Sequence, residues 1–422
     1  MSNPALDSAP SASQSPEPPW GSRKAWWTVA VSALGYFVDI YDLILFAVVR
    51  KASLADLGVA AADMESAGGR LISLQMAGML LGGLIWGVAG DRLGRKSTLF
   101  GSILVYSVAN LLNAFVTDLT SYGALRFIAG LGLAGELGAA VTLVSESLPQ
   151  RMRGYGTTIV AGVGVTGALL AAWVGQHYAW QTAYIVGGAL GLALLALRVG
   201  TFESGLFEQT RQSGVRRGDL RMLLWPLSRL GRYVAVIAVG VPIWFSIGIL
   251  VVFAAEFANE LGIQGAITGG QAVFYAYAGL GVGDIAAGVL SQRLRSRRGA
   301  LLTFLLISTG ATAFYLTRQG ATVASFELAL FLVGVGGGYW AVFATTAAEQ
   351  FGTNLRATVA TTAPNFVRGS LVAIEIGWQA LKPEHGRVGA AAIVGAICLA
   401  VALLATWRIA ESYHQDLDFL EG

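Results

Sequence analysis

The chain has 422 residues, of which 13% are charged and 55% hydrophobic, with a formal net charge of +3 and a mean hydropathy of +0.62. Soluble domains carry about 25% charged residues, so this composition excludes an ordinary one. The basic residues are spread along the chain, so the small positive charge does not suggest nucleic acid, which needs a concentrated basic face.

Residues 1–20 are rich in Ser, Pro and Ala and hold no apolar run. A cleavable signal needs a basic start followed by a hydrophobic stretch, so the segment up to residue 22 reads as a disordered cytoplasmic tail. Apolar runs near 20 residues long then follow at roughly 26–49, 70–90, 97–117, 121–144, 156–176, 180–198, 232–254, 270–291, 299–317, 325–347, 358–381 and 388–408. A membrane helix needs about 20 apolar residues, and in hydrocarbon each span must satisfy its own backbone hydrogen bonds. These runs lack the period-2 alternation of barrel strands.

The prediction is an all-α membrane protein of twelve transmembrane helices in two pseudo-symmetric six-helix bundles. The bundles cover 23–198 and 232–410, with a polar, basic linker at 199–231 and a cytoplasmic tail at 411–422. Glycine is abundant at 55 residues, which suits close helix packing where no hydrophobic effect drives association. The single cysteine, Cys398, excludes an intramolecular disulfide and most thiolate metal sites. The expected partners are the bilayer and a small-molecule substrate. The chain is expected to act as a monomer, to be no enzyme, and to need no metal or cofactor beyond a coupling proton.

Orientation follows from the positive-inside rule. Placing both termini in the cytoplasm puts 20 Lys and Arg residues inside, 6 outside and two, Arg126 and Arg368, within spans. The bacterial inner membrane is the expected location.

Two features recur at half the chain length. Gly87-Val88-Ala89-Gly90-Asp91-Arg92-Leu93-Gly94-Arg95-Lys96 joins the second and third spans, and a degenerate copy begins at Gly288, 201 residues on, with Gln292 in place of the Asp. Glu146 and Arg153 follow the fourth span, and Glu349 and Arg356 follow the tenth, an offset of 203 residues. Asp91 can accept hydrogen bonds at a helix terminus. Arg92, Arg95 and Lys96 can hold carboxylates or lipid phosphates. With Gly87, Gly94 and the Glu/Arg pairs, these residues resemble the cytoplasmic charge network of the major facilitator superfamily, which implies a gate whose ion pairs bias inward-open against outward-open states. Two Gly-x-Gly-x-x-Gly matches, starting at Gly130 and Gly162, lie inside apolar runs. The dinucleotide reading requires a strand before and a βαβ unit after, so these glycines read as helix contacts.

The chemistry is expected from ionisable residues inside the spans, which are costly there and normally face a polar cavity. Asp39 and Asp42, three residues apart in the first span, share a helical face. Two such carboxylates repel, so at least one is expected to hold a proton near neutrality. Glu136 in the fourth span lies at a similar depth to Asp39 and completes the proton-coupling set. Arg126 lies at the depth of Asp42 and is a plausible partner for it. Arg368, near mid-membrane, presents a planar fork suited to a carboxylate, with Glu375 on its face as the expected counter-ion. Asn365, Asp284, Tyr36 and Tyr41 complete the expected substrate site, and Trp244, Phe245, Tyr275, Tyr277, Tyr339 and Trp340 are further candidates for its lining.

The basic hairpin and its copy resemble the signature loop of the major facilitator superfamily, and that resemblance covers the whole chain. The stretch from Arg126 to Gly154, with Gly135, Glu136, Glu146, Pro149 and Arg153, is similar to the metabolite:proton symporters. The Asp39/Asp42 pair resembles the acidic pairs of both that branch and the aromatic acid:proton symporters. Glu203-Ser204-Gly205 departs from the sugar porter pattern, and no Gln-Gln pair stands in the seventh span. The resemblance implies proton-coupled uptake of a small organic acid or other carboxylate-bearing metabolite by alternating access. The alternative is a proton-antiporting exporter of drugs or organic cations, using Asp39, Asp42, Glu136 and Asp284 as a cation site. A receptor that no longer transports is a third, different class.

Overall fold

The computed structural model describes residues 23–93, 95–148, 150–198, 221–413 and 421. The side chains of 24, 91–93, 95, 96, 139, 141, 142, 145, 146, 150, 151, 153–155, 157, 158, 353 and 357 lie outside that description. The first three spans are Arg23–Asp56, Met64–Leu93 and Arg95–Asn113. The fourth is broken into Leu119–Leu133 and Glu136–Ser147, and the fifth and sixth are Gln150–His177 and Trp180–Arg198. The seventh runs from Leu227 to Phe245 and continues as a π-helix over Ser246–Val251. The eighth and ninth are Gly269–Leu294 and Arg297–Leu316, and the tenth is broken into Val323–Gly337 and Trp340–Glu349. Thr353–Arg408 turns at Gly386 (φ 67°, ψ 175°) and supplies the eleventh and twelfth.

Nine of the helices among the described residues are long and apolar enough to cross a bilayer. The shorter third, the broken fourth and the division at Gly386 bring the spans to twelve. The helices overrun their apolar runs: the first continues to Asp56 and the seventh begins at Leu227. Hydropathy marks the part of a helix that needs hydrocarbon, and backbone hydrogen bonding carries the helix on into the interface. The two breaks were not anticipated. They fall at Ala134-Gly135 and Gly338-Tyr339, and Gly135 and Gly338 stand 203 residues apart.

The halves repeat one packing plan. The first span packs on the fifth as the seventh does on the eleventh, and the second packs on the fourth as the eighth does on the tenth. Glycine makes the second of these pairings possible. A Cβ at Gly78 or Gly130 would overlap the backbone carbonyl of Phe127 or Gln75, and one at Gly279 or Gly334 would overlap that of Phe331 or Ala276. The halves meet mainly where the second span packs against the eleventh and the fifth against the eighth. Leu34, Phe115, Ile285, Leu306, Ile376 and Leu404 are more than a third exposed on the outside of the bundle. In water that surface would aggregate; against lipid tails it is the expected exterior.

Candidate functional site

Among the described residues four arginines are no more than 2% exposed: Arg50, Arg126, Arg198 and Arg368. Where each finds its partner organises the interior, because an unpaired charge in hydrocarbon is expensive.

Arg368, on the eleventh span, faces Asp39 on the first, with Nη2 3.8 Å from Oδ2. That is within ion-pair reach but too long for a hydrogen bond. The pair joins the two halves at the core. Trp340 and Trp244 flank the guanidinium, with ring centroids 5.6 and 6.0 Å from its carbon, and Tyr36 lies against Arg368, Asp39 and Trp340. Glu375 is therefore not the counter-ion of Arg368. It accepts from Ser73 at 3.5 Å and Gln379 at 3.1 Å, at the contact between the second and eleventh spans. Seven helical residues rise about 10 Å, so a partner on a facing helix is nearer than one two turns along.

Glu136 has its partner on the sixth span. It is fully buried and receives both ends of the Arg198 guanidinium, Nη1 at 3.2 Å from Oε2 and Nη2 on Oε1. Arg198 ends the sixth span and was counted among the cytoplasmic basic residues. It turns inward because Gly35 leaves room: a Cβ there would overlap both Arg198 and Glu136. A bidentate pair of this kind is a fixed internal charge rather than a free carboxylate.

Arg126 does not pair with Asp42. Its Nη1 donates to Tyr184 Oη at 3.0 Å, its Nη2 donates to Gln75 Oε1, and its guanidinium carbon lies 4.0 Å from the Phe46 ring centroid. Tyr184 shares a hydrogen bond of 2.8 Å with Tyr122. Among the described residues no carboxylate comes within ion-pair distance of Arg126, and its Nε has no acceptor. Arg126 and Gln75 line a residual cavity of about 20 Å³ with Leu43, Ile44, Phe46, Trp244, Ile247 and Leu371, residues drawn from both halves. That volume holds about one water molecule. Asp42 lies beside Asn110 and against Gly187, in the first half, with no hydrogen bond to either oxygen.

The remaining expected site residues divide. Asn365 donates to the Ala134 carbonyl at 2.8 Å, where the broken fourth span leaves that oxygen without a helical donor. It thus bridges the halves. Asp284 accepts from Ala341 N at 3.1 Å at the break in the tenth span. Tyr41 donates to the Ala183 carbonyl at 2.8 Å inside the first half, away from the seam. Phe245 and Tyr339 are fully buried within the second half, where Tyr339 donates to Val239 O at 2.9 Å. Gln75, Tyr184 and Arg198 were missed. Gln75 had a signal, a lone amide in the apolar run of the second span, of the same kind as Asn365 in the eleventh.

Closure is seen on both sides of the core. At the face carrying the chain termini, Gly83 and Gly87 pack against Asn365 and Thr362, and Gly138 against Thr361. Glu349 pairs with Arg297 at 3.0 Å rather than with Arg356, whose Nε donates to Ala348 O at 3.3 Å. Glu349 ends the tenth span and Arg356 lies past Gly352 in the next helix, whereas Arg297 begins the neighbouring ninth span. Gly94 and the side chains of Asp91, Arg92, Arg95, Lys96, Glu146 and Arg153 lie outside the described residues. At the opposite face Glu65 holds Lys382 and, at 2.6 Å, Arg387, while Arg50 pairs with Glu256 at 2.6 Å. Both contacts cross from one half to the other.

Comparison with known proteins agrees with this architecture. The human organic anion transporter MFSD10 superposes with a TM-score of 0.73 at 16% identity, covering 91% of this chain and all of that one. A niacin transporter of Acinetobacter baylyi is 36% identical over 162 residues, which are 37% of this chain and 36% of that protein. A 4-hydroxybenzoate transporter of Pseudomonas putida is 31% identical over 212 residues, 49% of this chain and 46% of that protein. The chain thus aligns with less than half the length of each of these two relatives. A family model matches residues 32–374, from the first span into the eleventh. The chain is a multi-pass membrane protein and belongs to the Major Facilitator Superfamily.

Proposed function

We propose that the protein is a proton-coupled symporter that takes up a small aromatic monocarboxylate across the bacterial inner membrane, with both termini in the cytoplasm. The observation that carries this reading is Arg126. Of the four buried arginines it alone has no carboxylate partner among the described residues, and it lines the cavity between the halves. A substrate carboxylate would take the free Nε–H and the Nη2–H now given to Gln75, forming the bidentate contact that guanidinium favours. Phe46, Ile44, Ile247 and Trp244 offer a flat, apolar bed for a ring. The names of the niacin and 4-hydroxybenzoate transporters add weight to an aromatic acid.

Coupling would run through Asp39. Ionised, it attracts Arg368 and draws the first span to the eleventh. A proton on Asp39 removes that attraction and loosens the halves at mid-membrane. Asp42, one turn away and free of a basic partner, is the companion site for the proton. Glu136, held by Arg198, would supply a fixed charge beside Asp39 and carry no proton. Arg368 then serves as the switch and Arg126 as the anchor. Alternating access follows if only the empty and the doubly loaded carrier change state readily. The proton is the sole additional ligand this scheme requires.

The test is counterflow in proteoliposomes, with benzoate, nicotinate, an aliphatic monocarboxylate and an aromatic amine as probes. Exchange of the two aromatic acids, with accumulation only under an inward proton gradient, is the expected result. Exchange of the amine alone would replace this reading with cation export.

A further inference from the structure

We infer that Asp284 is a positioning residue, its carboxylate capping the second half of the tenth span and so holding the Trp340 indole against the Arg368–Asp39 pair. The inference rests on the switch role proposed for the Arg368–Asp39 pair and deepens it by naming what sets the aromatic wall of that switch.

The first N–H groups of any helix lack intrahelical acceptors. The half-helix Trp340–Glu349 begins after non-helical backbone at Gly338 (φ −77°, ψ 40°) and Tyr339 (φ −111°, ψ 16°), and the preceding residue supplies no side-chain cap. The cap comes instead from the eighth span, where Asp284 Oδ1 accepts from Ala341 N at 3.1 Å, 57 residues away in sequence. The two spans touch backbone to backbone at this point. A Cβ at Gly338 would sit 2.5 Å from Gly283 Cα and 2.6 Å from Asp284 N. The break therefore has one position relative to the eighth span, and Asp284 fastens its downstream side.

Trp340 is the first residue of the fastened half-helix. Its ring lies 5.6 Å from the Arg368 guanidinium carbon and 5.2 Å from the Phe343 ring, and Tyr36 of the first half rests against it. Releasing the half-helix moves the wall of the switch without touching Arg368 or Asp39. The cap needs an acceptor oxygen and no charge. Asparagine supplies one; alanine does not.

The experiment compares Asp284→Asn, Asp284→Ala and Trp340→Leu in two readouts. In counterflow, Asp284→Asn should keep the KM and pH profile of the unaltered protein. Asp284→Ala and Trp340→Leu should each lose most of the accumulation driven by an inward proton gradient, with KM for benzoate little changed, because Trp340 lies on the Arg368–Asp39 pair and not on the bed of the ring. The second readout needs no substrate. In protein labelled with 5-fluorotryptophan, the resonance lost in Trp340→Phe should shift in Asp284→Ala and stay in place in Asp284→Asn. A Trp340 resonance unmoved in Asp284→Ala overturns the proposal. So does an Asp284→Asn protein as impaired as Asp284→Ala, which would make the residue a proton carrier. If Asp284→Ala does not fold, Trp340→Leu with unaltered proton-driven accumulation overturns it equally. Should the unaltered protein move no carboxylate, the transport reading fails and the fluorine resonance still decides the positioning role.

Discussion

Arg126→Lys separates the anchor from the switch. The guanidinium is 1% exposed, donates to Tyr184 at 3.0 Å and to Gln75, and lies 4.0 Å from the Phe46 ring centroid. Lysine keeps the charge and loses the fork, so one of two charge-assisted hydrogen bonds to a substrate carboxylate disappears. Such a bond is worth about 1.5–3 kcal/mol, and at about 1.4 kcal/mol per tenfold change this is roughly a 10- to 100-fold rise in KM. Maximal exchange should change little, because the lost contact serves binding and not the rocking of the halves. The assay is benzoate counterflow over a range of concentrations, beside Arg368→Lys in the same lipid. Arg368→Lys should keep the KM of exchange and lose proton-driven accumulation. An Arg126→Lys protein with unaltered KM refutes the anchor, and if Arg368→Lys alone raises KM, the anchor is Arg368.

Asp39→Asn should abolish accumulation under a proton gradient while exchange persists; accumulation that still collapses with an uncoupler would remove Asp39 from coupling. Glu136→Gln strands Arg198, which is 2% exposed, and should destabilise the detergent-solubilised protein by about 3–5 kcal/mol. Adding Arg198→Met should recover much of that in a thermal unfolding assay, and a double variant no more stable than the single one speaks against a structural pair. Gly130→Val would drive a side chain into the Gln75 backbone and should cost about 1–3 kcal/mol or more, seen as a lower unfolding temperature. Glu65→Ala removes the first-half carboxylate that Lys382 and Arg387 share and leaves Arg387 with Glu260 of its own half. A cysteine at Ile72, on the cavity wall, should then react faster with an impermeant maleimide, and an unchanged rate would show that these ion pairs do not hold that face closed.

Part of the candidate site could be read in advance. Asp39, Asp42, Arg126, Glu136, Asp284 and Arg368 stood out because ionisable residues are rare and costly within apolar runs, and all six are buried. Their partners were a different matter. Arg368 pairs with Asp39 across 329 positions, and Arg198 with Glu136 across 62. Spacing along one helix suggested Glu375 for Arg368, and a Glu/Arg spacing repeated in both halves set Arg356 beside Glu349; in both cases a residue on a neighbouring helix lies closer.

The number of spans, the two halves and the membrane setting follow from the amino-acid sequence alone, because hydrocarbon leaves an unbroken apolar run no alternative to a helix. The internal duplication is equally visible, since the hairpin and the Glu/Arg spacing recur 201 and 203 residues on. The helix breaks before Glu136 and Trp340, the inward turn of Arg198 and the unpaired state of Arg126 required the tertiary structure. Each depends on distances between helices: where Gly35 leaves room for a guanidinium, where Asp284 meets an open helix end, and which buried arginine is left without a carboxylate. Hydropathy measures what each residue loses on leaving water; packing between helices decides which group makes good that loss.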